Sequence, residues 1–234
     1  MKLIGKVVIV AVLLVIIGIA FHWRQAQIKR LEDNVKSSPT DISRVASGAI
    51  VVDGVGHEWA NLSRYNLGKY RSASAGQMGW DQVRLAHDGT WLYVLISVDA
   101  DVEQAISSGA AMGIFYIDAD GNPDTGQEDT DGKAKFGFDV GVHLMSGGTK
   151  GGGEKSSPGL SYVLARCTRK ASQLDMKSRV SSAEHPDQIA FGGQCVEMKI
   201  PLSALGIKVP AVTAFSFQPA GVGDYVIYDG LKVK

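Results

Sequence analysis

Residues 82–98 constrain the fold more than any other stretch, because they have the pattern of a β-hairpin. Two strand-like runs, 82–86 and 91–98, flank Asp88-Gly89, a pair that tolerates the positive φ angles of a tight turn. Residues 91–96 are all apolar, so both faces of this strand need cover. A two-layer sandwich provides such cover for a central strand.

Similar β-rich runs recur along the rest of the chain without the alternating helices of a parallel α/β fold. The 28 glycines also favour short strands joined by turns. One helical turn, 201–206, closes on a glycine. The sequence therefore predicts an all-β, antiparallel two-sheet β-sandwich over residues 48–234, with further strands at 49–52, 112–117, 136–143, 161–165, 194–200 and 214–218.

The N-terminal segment differs from this domain. Val7 to Phe21 is an unbroken apolar run, preceded by Lys2 and Lys6. A helix over residues 3–23 would be roughly 31 Å long, about the thickness of one hydrocarbon core. Residues 22–24 (His-Trp-Arg) resemble an interfacial belt on the far side. We expect residues 1–23 to form a transmembrane signal-anchor helix.

Two alternatives remain for this segment. Gly18-Ile19-Ala20 offers a signal-peptidase site, so cleavage would give a secreted protein. A pilin-like helix is less well supported, because the early acidic residue of pilins is missing. All three readings place the C-terminal domain in the periplasm or outside the cell, as a single-pass membrane protein unless the segment is cleaved.

Residues 24–47 are expected to form a juxtamembrane helix and a linker. Ile28, Leu31 and Val35 fall on one helical stripe among charged residues. That stripe is either a solvated extension of the membrane helix or, over residues 24–36, a short seam for homo-oligomerisation. The run Ser-Ser-Pro-Thr-Asp at 37–41 then ends the helical pattern.

The acidic loop at 118–131 is the strongest chemical signal in the sequence. Oxygen-bearing side chains alternate along it, and Ca²⁺ prefers six to eight such hard ligands. Pro123 stands where an EF-hand requires glycine, so that motif is excluded. A calcium-binding β-hairpin loop remains, against the alternative of ordinary turn formers without a metal. The predicted calcium ligands are Asp118, Asp120, Asn122, Asp124 and Asp129.

Cys167 and Cys195 are the two cysteines, and both lie in predicted strands. An even number of cysteines in an exported domain predicts a disulfide between them. The alternative is two buried thiols that pack as small apolar residues.

Several function classes lack support in the sequence. The formal net charge is zero, which gives no basic surface for nucleic acid. The five histidines have no zinc-ligand spacing, and no nucleophile elbow or phosphate-binding loop is present. We therefore expect a non-catalytic protein.

A set of ordered motifs resembles family 9 carbohydrate-binding modules and the wider group of dopamine β-monooxygenase N-terminal (DOMON-like) sandwiches. The first is Ile50-Val51-Val52-Asp53-Gly54 followed by Glu58-Trp59, similar to an I-x-V-D-G-x-x-x-E-W opening. Three more follow in the expected order: Leu92-Tyr93-Val94, then Ile117-Asp118-x-Asp120-x-Asn122-x-x-Thr125-Gly126, then residues 196–203 (Val-Glu-Met-Lys-Ile-Pro-Leu-Ser).

The resemblance implies a β-sandwich, often with structural calcium, that binds sugars or, in some branches, haem. Aromatic residues of the sugar-binding members stack on the ligand. Trp80 is our candidate for that role, whereas Trp59 and Trp91 are expected in the core. In the haem-binding branch the axial ligands would come from Met78, Met112 or Met145 with His87 or His143.

The leading hypothesis is a membrane-tethered, extracytoplasmic, non-catalytic binding module for carbohydrate or another extracytoplasmic ligand, with a calcium-stabilised loop. A haem-binding electron-transfer domain of the same fold is one alternative. A structural or assembly component that binds a partner protein is the other.

Overall fold

The computed structural model describes residues 15–22, 25, 26, 29, 38–67, 78–110, 112–128, 137–146, 159–169, 171–219 and 226–234. Residues 15–22, 25, 26 and 29 are helical (α1). Within the described residues, no helix is both long enough and apolar enough to span a bilayer. Most of the predicted membrane helix and of the predicted 24–36 seam lies outside the described residues, so both stay predictions.

Among its described residues, the domain is built mostly from strands, with two short α-helices and one 3₁₀ turn at His57–Trp59. The helices are α2 (Val102–Ser107) and α3 (Leu202–Leu205). The strands are β1 (Ser43–Arg44), β2 (Arg64–Asn66), β3 (Trp80–His87), β4 (Trp91–Val98), β5 (Gly113–Asp118), β6 (Gln127–Glu128), β7 (Gly137–Phe138), β8 (Val140–Ser146), β9 (Leu160–Thr168), β10 (Ala171–Ser181), β11 (Ile189–Gly192), β12 (Cys195–Pro201), β13 (Ala211–Pro219) and β14 (Val226–Val233).

Among the described residues these strands form two large sheets and one small ribbon. The back sheet has the order β1-β3-β4-β12-β11, with β2 also paired to β3. The front sheet has the order β10-β9-β8-β5-β13-β14, and β6 pairs with β7 separately. Pairing within the two large sheets is antiparallel except for the parallel β1–β3 contact. The predicted two-sheet, mostly antiparallel architecture is confirmed.

One large apolar core lies between the sheets. Alternate residues of β4 enter it from the back sheet, and Phe115 and Phe217 enter it from the front sheet with their ring centroids 5.9 Å apart. Removing this apolar surface from water is the main favourable term in folding. The core therefore sets which face of each strand points inward, because side chains alternate along a strand.

The predicted hairpin is confirmed as β3 and β4, joined through Asp88-Gly89 with Gly89 at φ 91°. The predicted strand at 49–52 is wrong. This segment is not a strand in the structure, yet Ile50 and Val52 are buried. Ile50 packs with Trp59, Tyr93 and Leu95, so the segment covers the outer face of the back sheet. Burial, not strand pairing, accounts for its apolar residues.

A buried carboxylate holds this covering segment in place. Glu197 on β12 is fully buried, and its Oε2 accepts hydrogen bonds from the backbone N–H of Gly54 (2.7 Å) and of Asp53 (3.0 Å). Its Oε1 accepts one from Nε1 of Trp59 at 2.8 Å. Burial raises the pKa of Glu197, and the three donors partly offset that rise. The opening motif Asp53-Gly54…Trp59 is thus a structural element, and the predicted packing role of Trp59 is confirmed.

The predicted disulfide is wrong for this structure, because Cys167 and Cys195 are both free. Cys167 lies on β9 of the front sheet and alternates with core residues Leu164 and Tyr162, so it points to the outer face. Cys195 packs in the cluster on the outer face of the back sheet, where its thiol donates to the carbonyl oxygen of Gly54 at 3.0 Å. Two packed sheets separate the sulfur atoms, and a disulfide needs Cα atoms within about 7 Å.

We predict that Glu197→Ala lowers the free energy of unfolding by about 2–4 kcal/mol, because three buried donors lose their acceptor. Glu197→Gln keeps one acceptor oxygen and should cost roughly half as much. Urea denaturation followed by tryptophan fluorescence measures both. Glu103→Ala, an exposed change in the first turn of α2, is the matched control. Equal losses from Glu197→Ala and Glu103→Ala would contradict the anchoring role.

Candidate metal centre

Three carboxylates meet at one end of the outer face of the front sheet. Asp118 ends β5, Asp120 follows in the loop, and Asp139 lies between β7 and β8. One oxygen from each lies within 4.8 Å of the others. Pairing of Ile117 with Val140, together with a hydrogen bond from the backbone N–H of Asp139 to the carbonyl of Ile117 (2.9 Å), brings these segments side by side.

Asp118 is the most deeply placed of the three, with 3% of its surface exposed. Its Oδ1 accepts a hydrogen bond from the backbone N–H of Gly121 at 2.7 Å. Thr213 on β13 holds the same residue from the other side, where its hydroxyl donates to the carbonyl of Asp118. Both contacts fix the position of the carboxylate, but neither supplies a positive charge.

The loop after β5 folds tightly onto the β6–β7 ribbon. Oδ1 of Asp120 accepts from the backbone N–H of Asn122 at 2.8 Å and from the hydroxyl of Thr125 at 3.1 Å. Gly126 has φ 64°, and a Cβ there would lie 2.2 Å from the carbonyl oxygen of Phe138. Only glycine fits this contact, which places the loop against β7, directly before Asp139.

The electrostatics of the cluster are unfavourable for three charges. Burial, with repulsion from Asp139 and Asp120, raises the pKa of Asp118 to about 6. Burial also raises the pKa of Asp139, whose Oδ2 accepts from the backbone N–H of Ala119 at 2.9 Å. Within the described residues no lysine, arginine or histidine forms an ion pair with these carboxylates. A divalent cation would supply the missing positive charge.

The structure unites only part of the predicted ligand set. Asp118 and Asp120 belong to the cluster, whereas Asn122 turns its amide oxygen back to the backbone N–H of Asp124 at 3.0 Å. Asp124 is 86% exposed and pairs with Arg169 at 3.5 Å. Asp129 lies outside the described residues. The structure thus gives Asn122 and Asp124 partners within the protein and does not bring them into the carboxylate cluster, and their roles as calcium ligands stay predictions.

Sequence reasoning missed Asp139. The residue is 19 positions beyond Asp120 and outside the acidic loop, so spacing within the loop did not select it. A signal was present in the sequence, since Asp139 is the acidic residue on the polar face of the alternating 136–143 segment. Strand pairing between β5 and β8 was needed to connect the two segments.

The structure places the two tryptophans Trp80 and Trp91 differently from the sequence-based predictions. Trp80, the predicted stacking residue, is 1% exposed and packs in the core, so it presents no ring face to a ligand in this structure. Trp91 was predicted in the core but is only partly buried, with Nζ of Lys199 at 5.1 Å from its ring centre.

The residues named for the haem alternative are scattered. Met78, Met112 and His87 are buried, whereas Met145 is 41% exposed on the outer face of β8 with half-buried His143 nearby. The haem alternative stays a prediction.

We predict that Asp118→Asn stabilises the protein at pH 7.5 when divalent cations are chelated, by on the order of 2 kcal/mol. The folded-state pKa of Asp118, about 6, lies above the ordinary value of 3.8. Protonated Asp118 therefore contributes its full share to the free energy of unfolding below pH 3.8, and this contribution is lost as the pH rises through 6. Thermal unfolding in chelator at pH 4 and pH 7.5 measures the effect. A stabilisation that is equal at both pH values would contradict this assignment.

The chain matches no protein-family model, no curated protein and no solved structure. The likeness to family 9 carbohydrate-binding modules and DOMON-like sandwiches therefore rests on the motif set alone, and no family membership follows from it.

Proposed function

We propose that this protein is a non-catalytic, extracytoplasmic binding module, tethered to a membrane by its N-terminal segment and stabilised by Ca²⁺. One observation carries the proposal: Asp118, Asp120 and Asp139 place three carboxylate oxygens within 4.8 Å of one another, with two of the groups withdrawn from water. Carbohydrate is the ligand class we assign to the module.

The donor set supports calcium over softer metals. All three groups are hard carboxylate oxygens, and Ca²⁺ accepts flexible coordination by six to eight of them, with carbonyls and water completing the shell. The cluster contains no histidine or cysteine, the ligands typical of zinc. A bound cation would neutralise the repulsion that raises the pKa of Asp118 and Asp139. It would also join the end of β5 to the start of β8.

Tethering is supported by the described part of α1. Residues 15–21 of this helix carry no polar side chain, and Val15, Ile19 and Phe21 are each 60–65% exposed. A helix that is apolar all round is stable when its surroundings are apolar too. A lipid bilayer is the environment we assign to it.

The calcium part predicts a thermal shift. Millimolar Ca²⁺ should raise the unfolding temperature relative to chelator, since a ligand present at about 100 times its Kd stabilises by about 2.7 kcal/mol. Asp139→Asn should abolish most of this shift, because it removes a carboxylate but keeps the side-chain oxygen that accepts from Ala119. Differential scanning calorimetry of the full chain in detergent measures both.

Asp124→Asn is the matched control for this experiment. The loop spacing makes Asp124 a calcium ligand, whereas the structure pairs it with Arg169. We expect Asp124→Asn to keep the calcium shift. Loss of the shift in Asp124→Asn with its retention in Asp139→Asn would reject the cluster as the site. No shift in the unmodified protein would reject calcium binding itself.

The carbohydrate part predicts retardation of the full chain in native gels that contain a soluble polysaccharide. Suitable probes are hydroxyethylcellulose, xylan and mannan, each compared with a gel without polysaccharide. Unchanged mobility with all three probes would reject the carbohydrate assignment. It would not affect the calcium proposal, which the thermal-shift experiment tests.

A further inference from the structure

We propose that His87 holds residues 41–45, the junction segment, against the back sheet at neutral pH and releases them when its imidazole takes up a proton on acidification. The junction segment lies within the predicted linker (24–47), so its release lengthens the connection between the N-terminal helix and the sandwich. This inference does not rest on calcium or carbohydrate binding, and a failure of either leaves it intact.

His87 is a buried side chain without a partner. It ends β3, is 0% exposed, and neither Nδ1 nor Nε2 of its imidazole has a hydrogen-bond partner within the described part of the chain. Most buried polar side-chain atoms in proteins are paired, so such a residue calls for an explanation. The neutral imidazole leaves one donor and one acceptor unpaired, whereas the protonated ring would place two unpaired donors and a charge in an apolar site. Protonation is therefore disfavoured while the site stays closed.

Strand alternation directs this imidazole into the core. On β3, Leu85 packs in the core between the sheets, whereas Ala86 packs in the cluster on the outer face. His87 follows and faces inward with Leu85, because side chains alternate along a strand. Its pairing partner on β4 is Leu92, another core residue. Water reaches the ring only when a neighbouring segment moves away.

Two charged groups act on the imidazole, with opposite effects. Arg44, its pairing partner on β1, opposes protonation, whereas Asp88, the next residue in the chain, favours it. The carboxylate of Asp88 is already engaged by two backbone N–H groups at the β3–β4 turn and by the hydroxyl of Tyr93 at 2.9 Å. Burial and Arg44 outweigh Asp88, so the pKa of His87 lies below its usual value of 6.5.

Within the described ranges, the other elements at this end of the sandwich bring no charge to the ring. The helix α3 contains no ionisable residue. On β14 the inward-facing side chains, Leu231 and Val233, are apolar, and Lys232 between them is exposed to solvent. Arg44 and Asp88 are therefore the charged groups to which His87 responds.

The junction segment is the neighbour of His87 that opens most easily. Its strand β1 has two residues, which pair in parallel with the end of β3. The backbone N–H of Val45 donates to the carbonyl of His87 itself at 2.9 Å. Ile42 is the one buried side chain of the segment, and its backbone N–H donates to the carbonyl of Lys232 on β14 at 2.9 Å. Because β4 is buried along most of its length, local opening favours the short junction segment.

The direction of the pH dependence follows from the two states of the ring. In the released state the imidazole lies in water and titrates near 6.5, whereas in the closed state it resists protonation to a lower pH. The released state therefore binds more protons as the pH falls through 6.5, and the equilibrium shifts toward release. Between pH 7.5 and pH 5.0 the released population rises by up to about thirtyfold for this one proton.

Hydrogen–deuterium exchange of the full chain in detergent and chelator measures this release. Exchange is divided by the intrinsic rate at each pH, which leaves the protection of each peptide. We expect the peptide that contains Val45 to lose protection by up to about thirtyfold between pH 7.5 and pH 5.0. A peptide from β4 should keep its protection over the same range and serves as the internal reference.

Two leucine variants identify the group that titrates. His87→Leu puts an apolar side chain of similar size in the buried site, so protection of the Val45 peptide should change less than about twofold between the two pH values. His185→Leu is the matched control, since this histidine is exposed in the turn after β10. It should keep the full pH dependence of the unmodified protein.

Three results overturn the proposal. They are a pH-dependent loss of protection that persists in His87→Leu, no loss in the unmodified protein, and an equal loss in the Val45 and β4 peptides, which reports global unfolding. If His87→Leu fails to fold, an NMR titration of the histidines in the unmodified protein decides. Titration of His87 together with the loss of Val45 protection supports the proposal, whereas titration of His87 while Val45 stays protected overturns it.

Discussion

The pairing of β5 with β8 is the contact on which the candidate metal centre depends. Ile117 opposite Val140 brings the carboxylates of Asp118 and Asp139 together at the end of the pair. One residue along the same strands Tyr116 pairs with Gly141, and two residues further Ile114 pairs with His143. A slip of β5 by one residue would turn its side chains to the opposite face, because side chains alternate along a strand. The buried ring of Phe115 opposes such a slip, since the slip would expose it.

Two buried carboxylates in this fold illustrate different solutions to one electrostatic problem. Glu197 is fully buried, but three N–H donors satisfy it, and it has a structural task in joining the covering segment to β12. Asp118 is nearly as buried, yet it has Asp120 and Asp139 as neighbours and no cationic partner among the described residues. Hydrogen bonds to a carboxylate favour its charged form, and neighbouring carboxylates oppose it. This contrast is why the metal proposal concerns Asp118 and not Glu197.

The acidic loop separates what local spacing predicts from what it misses. Alternating oxygen ligands at 118–124 suggested a loop that wraps an ion, and two residues of that loop, Asp118 and Asp120, belong to the carboxylate cluster. The loop instead forms tight turns in which Asn122 and Thr125 satisfy its own backbone, a common use of such residues. The third carboxylate comes from Asp139, which a reading of the loop alone does not reach. The cysteines show the same limit. Their even number suggested a disulfide, but the two-sheet architecture keeps Cys167 and Cys195 apart.

The sequence by itself determined the β architecture, the β3–β4 hairpin and the acidic region, because turn residues and alternating apolar patterns are local properties. Composition and motif spacing likewise predicted which function classes lack support. Only the tertiary structure decided the members of the carboxylate cluster, the burial of Trp80 and the separation of Cys167 from Cys195. These features depend on register between strands distant in sequence, and that register follows from packing the whole core.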